Sequence, residues 1–530
     1  MIRLVVIGYG PVGARFVEEM LPVVRAGEVE ITVIGAEQDD VYNRVLIAEH
    51  AVGRASRERL ELAGTAEAIA AGVTIRLGEA AVAVDRTLHV VRTSGGDRIP
   101  YDRLVFATGA RANIPTLYGM ENARRHRLTR AQSPERIDLG GSALPRGVGV
   151  LRDLADSAQI AAAVRDSGRI VVLGAGVLGL ELALAAREQG AEVVVVYHGE
   201  TPMARNLDRG GGLMLARAAR AAGIEMLPHS VAESIVTRSD PADGLPRFHA
   251  VVCADGKQVP GDLLVLSVGA SARVELAAAA DLAVSSGILV DEQLRSWTDP
   301  DVFAIGDCAH VAPRESARED GHVPGAPSGL IGPGWRQADA LAARFRTDSP
   351  AQGIEAASLV EHPSVVTLKA ESVDVVAGGA VDAEPWDEDN GDCIHTRQVT
   401  QWADPARGSY VKMITRAGVL EGFVAVGMPR TGAELSLLFE RGGELPADRG
   451  ALLRLDSDDS GSLLRSDAFA PDTTVCWCNG VTVETITEAA ASGADTVECI
   501  GTKTRAGTGC GGCKGRVAEI LARSVAVTGV

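Results

Sequence analysis

Aromatic side chains make up only 4% of this 530-residue chain. Its cores must therefore be filled mainly by alanine, valine and leucine, and a 46% apolar content is ample for several of them. Basic charge is also short: 52 lysines and arginines stand against 70 aspartates and glutamates, a net charge of −18. That balance argues against nucleic acid, whose phosphates want a basic face. It suits solubility, or an acidic face for a basic partner. No apolar run approaches the roughly 20 residues that cross a bilayer, so no membrane role is expected. The N-terminus has neither a charged leader region nor a small-residue cleavage site, which points to the cytoplasm. Cysteine is absent before Cys253, and the ten histidines are scattered, with no hydrolytic Ser-His-Asp or metal–water set. A chain this long is expected to hold two to four domains.

What is present is concentrated. Four cysteines near the C-terminus form two close pairs, Cys476 with Cys478 and Cys510 with Cys513. In a reducing compartment such pairs are metal ligands or redox groups rather than structural disulfides. Cysteines at i and i+2 of an extended segment point the same way. Cys510-Gly511-Gly512-Cys513 can fold as a tight loop whose N–H groups reach sulfur. A [2Fe–2S] cluster needs four thiolates. A structural zinc has a similar demand, although the usual zinc ribbon carries two C-x-x-C knuckles, and ligand type alone does not separate the two. Cys499, alone in an apolar segment that reads as strand, is left outside the set. Cys253 and Cys308 are isolated and read as small buried apolar residues.

Two glycine-rich turns precede these cysteines. Residues 3–7 read as a buried parallel strand, followed by Gly8, Gly10 and Gly13 in G-x-G-x-x-G spacing and then a helical pattern. The glycines allow a tight turn, close approach to a pyrophosphate and close helix–strand packing, while the helix N-terminus faces the phosphate. A second strand, residues 29–34, ends near Glu37, an acid placed to bind ribose hydroxyls. Residues 104–110 form another strand running into a turn with Thr108 and Gly109, and residues 301–307 form one ending in Gly306-Asp307. Asp307 can accept from the ribityl chain of a flavin or serve as a helix N-cap. The pattern then repeats: a strand at 169–173, Gly174, Gly176 and Gly179, a helix, and a strand at 192–196. Two fingerprints imply two dinucleotides; if the first is FAD, the second is a nicotinamide nucleotide. The tip of the later strand lacks the expected acid. Glu200 comes late, and His198 with Arg205 could meet a 2′-phosphate, so local chemistry leaves NADH and NADPH open. Glu181 reads equally as a first-turn acid favoured by the helix dipole or as the group that orients the nicotinamide carboxamide.

The order of the pieces gives an α/β chain with two Rossmann-like dinucleotide-binding domains, the flavin domain interrupted by the nicotinamide domain. This resembles the pyridine nucleotide-disulfide oxidoreductase class. Many members carry a redox disulfide beside the flavin; with no cysteine before Cys253, hydride is expected to pass directly from nicotinamide to flavin. Cys476-Trp477-Cys478-Asn479-Gly480-Val481, followed by residues 506–514, resembles the [2Fe–2S] domain of bacterioferritin-associated ferredoxin. Four further segments are similar to the N-terminal part of assimilatory NAD(P)H nitrite reductase large subunit: residues 4–8, Tyr42-Asn43-Arg44-Val45-Leu46, Gly306-Asp307-Cys308-Ala309 and Trp335-Arg336-Gln337-Ala338. The resemblance implies that Asn43 and Arg44 lie beside FAD, that the helix near Trp335 faces the flavin ring, and that NADH is weakly favoured. It implies four cluster ligands, Cys476, Cys478, Cys510 and Cys513. The family often has a Gly-x-Arg-Pro turn where this chain reads Gly269-Ala270-Ser271-Ala272-Arg273, so a different loop is expected there.

The expected organisation is as follows: residues 1–118 and 271–348 form the FAD-binding domain and 147–270 the NAD(P)H-binding domain. Residues 119–146 form a surface insertion or linker, with a further surface loop at 312–333. Residues 355–440 form a small α+β domain that ends in a helix near Leu435–Phe439. Residues 441–470 make an acidic tether whose Asp456–Asp459 run is solvated, and 471–530 a small [2Fe–2S] domain. The nitrite reductase carries further cysteines for a sirohaem region that are missing here. The resemblance therefore implies an electron-transfer flavoprotein, similar to the subunit that feeds the molybdenum subunit of an assimilatory nitrate reductase. The competing readings are a reductase for a small carrier such as rubredoxin or ferredoxin, and a cluster domain that docks or senses without relaying electrons. A flavin amine oxidase is disfavoured, because it needs no nicotinamide site.

Overall fold

The computed structural model describes every residue except 63, 121–143, 348–363, 369, 371, 388–396, 447, 457–468, 472, 477, 478, 510–512, 529 and 530. The insertion expected at 119–146 therefore lies largely outside the described residues.

The apolar run Leu4, Val5, Val6 is buried on both faces because its strand, Ile2–Ile7, is central in a parallel sheet. The strand order is Val302–Ala304, Arg103–Phe106, Ile2–Ile7, Val29–Gly35, Thr74–Leu77. Helix Pro11–Arg25 leaves the first strand through the Gly10 N-cap, with proline in its first turn, where a missing N–H costs nothing. Its buried face, Phe16, Val17, Met20, Leu21 and Val24, follows helical spacing, and Phe16 meets Phe345 of helix Ile331–Thr347 edge-on. That helix starts at Ile331, so the surface loop after Ala312 ends before Pro333.

The second parallel sheet repeats the plan, in the order Glu225–Leu227, Glu192–Val196, Arg169–Leu173, Leu263–Leu266, Val148–Val150. Two short antiparallel strands, Ala110–Ala112 and Ala270–Ala272, pair where the chain leaves the first unit and returns to it. The departure at Gly269–Arg273 thus forms a two-stranded ribbon. A third unit is antiparallel, in the order Val365–Leu368, Val375–Gly379, Val419–Val426, Ser409–Arg416, Arg397–Asp404, with helix Pro429–Glu440 against it. It meets the nicotinamide unit through a buried polar cluster. The Tyr410 hydroxyl donates to Asp208, and the Lys412 ammonium lies 3.4 Å from the same carboxylate, 3.1 Å from the Val381 carbonyl and 3.2 Å from Glu384.

The C-terminal unit is a hairpin, Thr474–Cys476 with Val481–Thr482, and helices Val483–Ala491, Val497–Thr504 and Lys514–Thr528 around Ile486, Ile500, Val517 and Ile520. Two expectations change in this half. Cys499 is exposed on a helix rather than set in a strand, because the Thr496 side chain caps that helix by accepting from the Cys499 N–H at 3.1 Å. Part of the stretch expected to be a tether, up to Asp456, is packed against the antiparallel unit. Leu452 is buried against the antiparallel unit, and Asp456 accepts from the Arg430 and Thr431 N–H groups at 3.0 and 2.9 Å, where it caps helix Pro429–Glu440 rather than lying in a solvated run. Among the described residues no helix is long and apolar enough to cross a membrane.

Candidate redox site

Both glycine-rich turns have the same geometry. Gly8 sits at φ +111°, and a Cβ there would lie 2.2 Å from the Ala107 carbonyl oxygen. Gly174 sits at φ +110°, with the Ser267 carbonyl oxygen 2.3 Å from the corresponding position. In each case the turn presses against the end of the neighbouring strand, a contact only glycine permits. The third glycines, Gly13 and Gly179, pack on the carbonyls of Gly8 and Gly174. The middle glycines face open space instead: a Cβ at Gly10 would meet only the Arg44 side chain, at 3.8 Å, and one at Gly176 would meet nothing within 4 Å. Beside each helix N-terminus there is thus a clear cradle of the kind a pyrophosphate fills.

A cavity of about 3660 Å³ opens in front of the first turn. Gly8, Gly10, Glu37, Arg44, Thr108 and Gly109 line it, as do Gly306 and Asp307 further round. Glu37 is paired with Arg44 and accepts from the Tyr42 hydroxyl at 2.9 Å. Thr108 Oγ1 donates to the Arg273 carbonyl at 3.0 Å. Asp307 pairs with Arg152 at 2.6 Å. It lies inside the short 3-10 turn Gly306–Cys308 and not at its N-cap, which is Ile305. Arg152 and Arg273 had no sequence signal beyond their charge, yet both line this cavity with Arg44. Burial pushes the Arg273 guanidinium below the ordinary arginine value, Glu37 opposes this, and Arg44 and Arg152 push further down. Three guanidinium groups gathered beside an open glycine cradle, two of them held in place by Glu37 and Asp307, give an anionic ligand donors to bind. The flavin-side residues therefore fit FAD.

On the nicotinamide side the cavity is lined by Val177, Leu178, Glu181 and Arg205. Helix Val177–Glu188 carries no acid in its first turn. Glu181 lies one turn further in, which removes the dipole reading, since that effect fades within the first turn. Glu200 is tied to Arg209 at 2.6 Å. His198 is exposed. Glu440, also on the cavity wall, is raised by burial to about 7, with Arg336 opposing. The folded protein thus holds a proton that the unfolded chain releases above the usual glutamate range. Stability should fall as pH rises from that range to about 7 and then level off. Glu440→Gln should accordingly raise the thermal midpoint at pH 8 relative to the parent and leave it unchanged at pH 4; an equal effect at both would show that the carboxyl is not held neutral.

At the far end the same cavity reaches Cys476 and Cys513. Cys478 and Cys510 lie outside the described residues. Cys476 is buried, and a hydrogen bond with Cys513 draws its thiol well below the usual value. Burial opposes this, while the N–H groups of Gly507 and Asn479 and the Asn479 carboxamide, 3.7 Å from the sulfur, reinforce it. Donors aimed at a sulfur that favours the thiolate are the surroundings a thiolate-held cluster needs. Asn43 is 2% exposed and is absent from the cavity wall. Its Nδ2 donates instead to the carbonyls of Thr508 and Gly509, at 2.9 and 2.7 Å. Cys253 and Cys308 are buried, as expected of small apolar residues.

Residues 2–324 match the pyridine nucleotide-disulphide oxidoreductase family. The chain belongs to that family. Residues 474–523 match the BFD-like [2Fe-2S] binding domain. This family member is an NAD(P)H-dependent flavoprotein reductase with FAD and a [2Fe–2S] domain, and the zinc alternative falls away. It is 30% identical over 99% of its length to the nitrite reductase [NAD(P)H] large subunit of Klebsiella oxytoca, covering 49% of that protein. It is 27% identical over 98% of its length to the assimilatory nitrate reductase electron transfer subunit of Bacillus subtilis, covering 59%. The chain thus spans about half the length of the curated relatives it matches. Among solved structures, a putidaredoxin reductase–putidaredoxin complex aligns with a TM-score of 0.66 at 20% identity, over 83% of this chain and 93% of that one. A ferredoxin reductase from Rhodopseudomonas palustris aligns with a TM-score of 0.65 at 23% identity, over 84% and 96%. Both share the fold.

Proposed function

We propose that this flavoprotein carries electrons from NAD(P)H through FAD and the [2Fe–2S] cluster to a partner protein, the molybdenum-containing catalytic subunit of an assimilatory nitrate reductase. The observation that carries the relay is the single cavity that runs from the Gly8 turn to Cys476 and Cys513. The likeness to the Bacillus subtilis electron transfer subunit supports the partner. When bound, the cofactors supply hydride transfer from NAD(P)H to FAD and single-electron passage through the cluster, so that each NAD(P)H yields NAD(P)+, one proton and two electrons.

The chain's own residues bind and place. The Gly174 turn and the N-terminus of helix Val177–Glu188 hold the nicotinamide nucleotide's pyrophosphate. Glu181, at the cavity wall, orients the carboxamide. Glu37 receives the adenosine ribose of FAD, Asp307 accepts from the ribityl chain, and Arg44 offers positive charge to the phosphates. Cys476, Cys478, Cys510 and Cys513 are the four cluster ligands.

Cys510→Ser tests the relay. The variant should still bleach its flavin on NADH addition but deliver electrons to the purified molybdenum subunit at least about tenfold more slowly, a loss of ~1.4 kcal/mol in barrier terms. Undiminished nitrate reduction would mean that electrons bypass the cluster.

A further inference from the structure

We propose that a two-point clasp, Asn43 and Arg505, docks the cluster domain on the flavin domain, and that Asn43 is a positioning residue for electron passage between them. The inference rests on the relay reading. Asn43 is a buried polar side chain whose bonds run to two parts of the chain. Its Oδ1 accepts from the Val45 N–H at 3.0 Å and so caps the short turn Arg44–Leu46 on the flavin side. Its Nδ2 spends its donors on the Thr508 and Gly509 carbonyls. Gly509 immediately precedes Cys510, so the bracket grips the loop one residue from a proposed cluster ligand.

That loop has a second face. The Gly507 N–H points to the Cys476 sulfur, and the Arg505 carbonyl accepts from Asn479 Nδ2 at 2.7 Å. The loop therefore gives one N–H group to sulfur and carbonyls to Asn43 and Asn479, and moving one face moves the other. Arg505 supplies the other point of the clasp. Its guanidinium pairs with Glu18 and, at 3.4 Å, with Glu19, both on helix Pro11–Arg25, which starts at the first glycine turn. The Arg505 side chain is 34% exposed and that of Glu18 35%, so salt screens this pair. The Asn43 side chain is buried and its bonds join uncharged groups, so salt leaves them unchanged. Both contacts tie the cluster loop to the elements that build the flavin cradle, so they set the gap that electrons must cross.

The decisive variant is Asn43→Asp in the holoenzyme. It keeps the size and the Oδ1 cap but sets a carboxylate oxygen against two carbonyl oxygens. Stopped-flow absorbance would follow the flavin after NADH addition, and freeze-quench spin resonance the cluster. The ratio of cluster-reduction rate to flavin-reduction rate should fall about tenfold, as expected if ~1.4 kcal/mol of docking preference is lost. Small-angle scattering should show a larger radius of gyration than the parent. An unchanged ratio with unchanged scattering overturns the proposal, as does a folded variant that has lost FAD, because Asn43 would then serve the flavin directly. If Asn43→Asp fails to fold, Arg505→Ala decides: its ratio should be lower than the parent's in dilute buffer and converge with it in high salt, and equality in dilute buffer overturns the clasp. A parent protein whose cluster is not reduced by NADH at all would instead sink the relay reading.

Discussion

Gly174→Ala should leave a yellow, FAD-loaded protein that NADH no longer reduces efficiently. Gly174 has φ +110°, a sparsely populated region that strains residues with a Cβ by about 1–3 kcal/mol. The new methyl would also sit 2.3 Å from the oxygen and 2.8 Å from the carbon of the Ser267 carbonyl. Both are backbone atoms at the end of strand Leu263–Leu266, so no side-chain rotation relieves the clash. The turn must move, and with it the N–H groups at the start of helix Val177–Glu188. We expect kcat/KM for NADH to fall at least about 100-fold, or ~2.7 kcal/mol. FAD content should stay at the parent's level, and dithionite should still bleach the flavin, because the flavin cradle is built from the other sheet. A variant within a few-fold of the parent would show that NADH does not bind on this turn.

Asp208→Ala should be among the most destabilising single changes in the chain. Lys412 and Tyr410 are fully buried and Asp208 nearly so. Removing the carboxylate leaves the Lys412 ammonium with Glu384, whose side chain is 51% exposed, and the Val381 carbonyl. Breaking one partner of a buried ion pair costs about 3–5 kcal/mol. The N-cap bond from the Gly211 N–H to Asp208, 3.2 Å long, is lost as well, at about 1 kcal/mol. Denaturant titration of the holoenzyme would check the sum. The double variant Asp208→Asn with Lys412→Met should recover part of the loss, because it removes the stranded charge. If Asp208→Ala costs less than about 1 kcal/mol, the cluster is wetter than its burial implies.

What could be read from the sequence was whatever is local. Strands 169–173 and 192–196 have the bounds their β-branched runs suggested, because a parallel strand buried on both faces needs nothing beyond its own residues to be recognised. The G-x-G-x-x-G turns were equally legible, since each glycine answers a contact within the unit. Of the two roles open to Glu181, the first-turn one fell away, because spacing from the third glycine does not reveal that helix Val177–Glu188 already begins two residues before that glycine. Cys499 was misread because Val497, Cys499 and Ile500 look β-prone, while the decisive signal was the Thr496 cap. Asp456 looked solvated beside other acids, and only the tertiary approach of helix Pro429–Glu440 gives it N–H groups to accept from. The Asp208–Tyr410–Lys412 cluster and the Asn43 bracket join residues hundreds of positions apart, and no local pattern announces them. Asn43 was singled out by resemblance as a flavin neighbour; its donors turn out to reach the cluster loop.

The edge strand Val302–Ala304 of the first sheet has a consequence for how the protein is made. It pairs with Arg103–Phe106, yet the whole nicotinamide unit is encoded between the two. On a ribosome extending the chain by 5–20 residues per second, the backbone edge of Arg103–Phe106 waits roughly 10–40 s for its neighbour. Throughout that interval Leu104, Val105 and Phe106 present an open β-edge, the kind of surface that recruits a wrong strand. The inserted unit can complete its own sheet, Val148–Val150 through Leu263–Leu266, before the older one closes. Nascent flavin-binding folds of this layout are thus born half-finished, and their yield in a cell depends on what shields that edge during the wait.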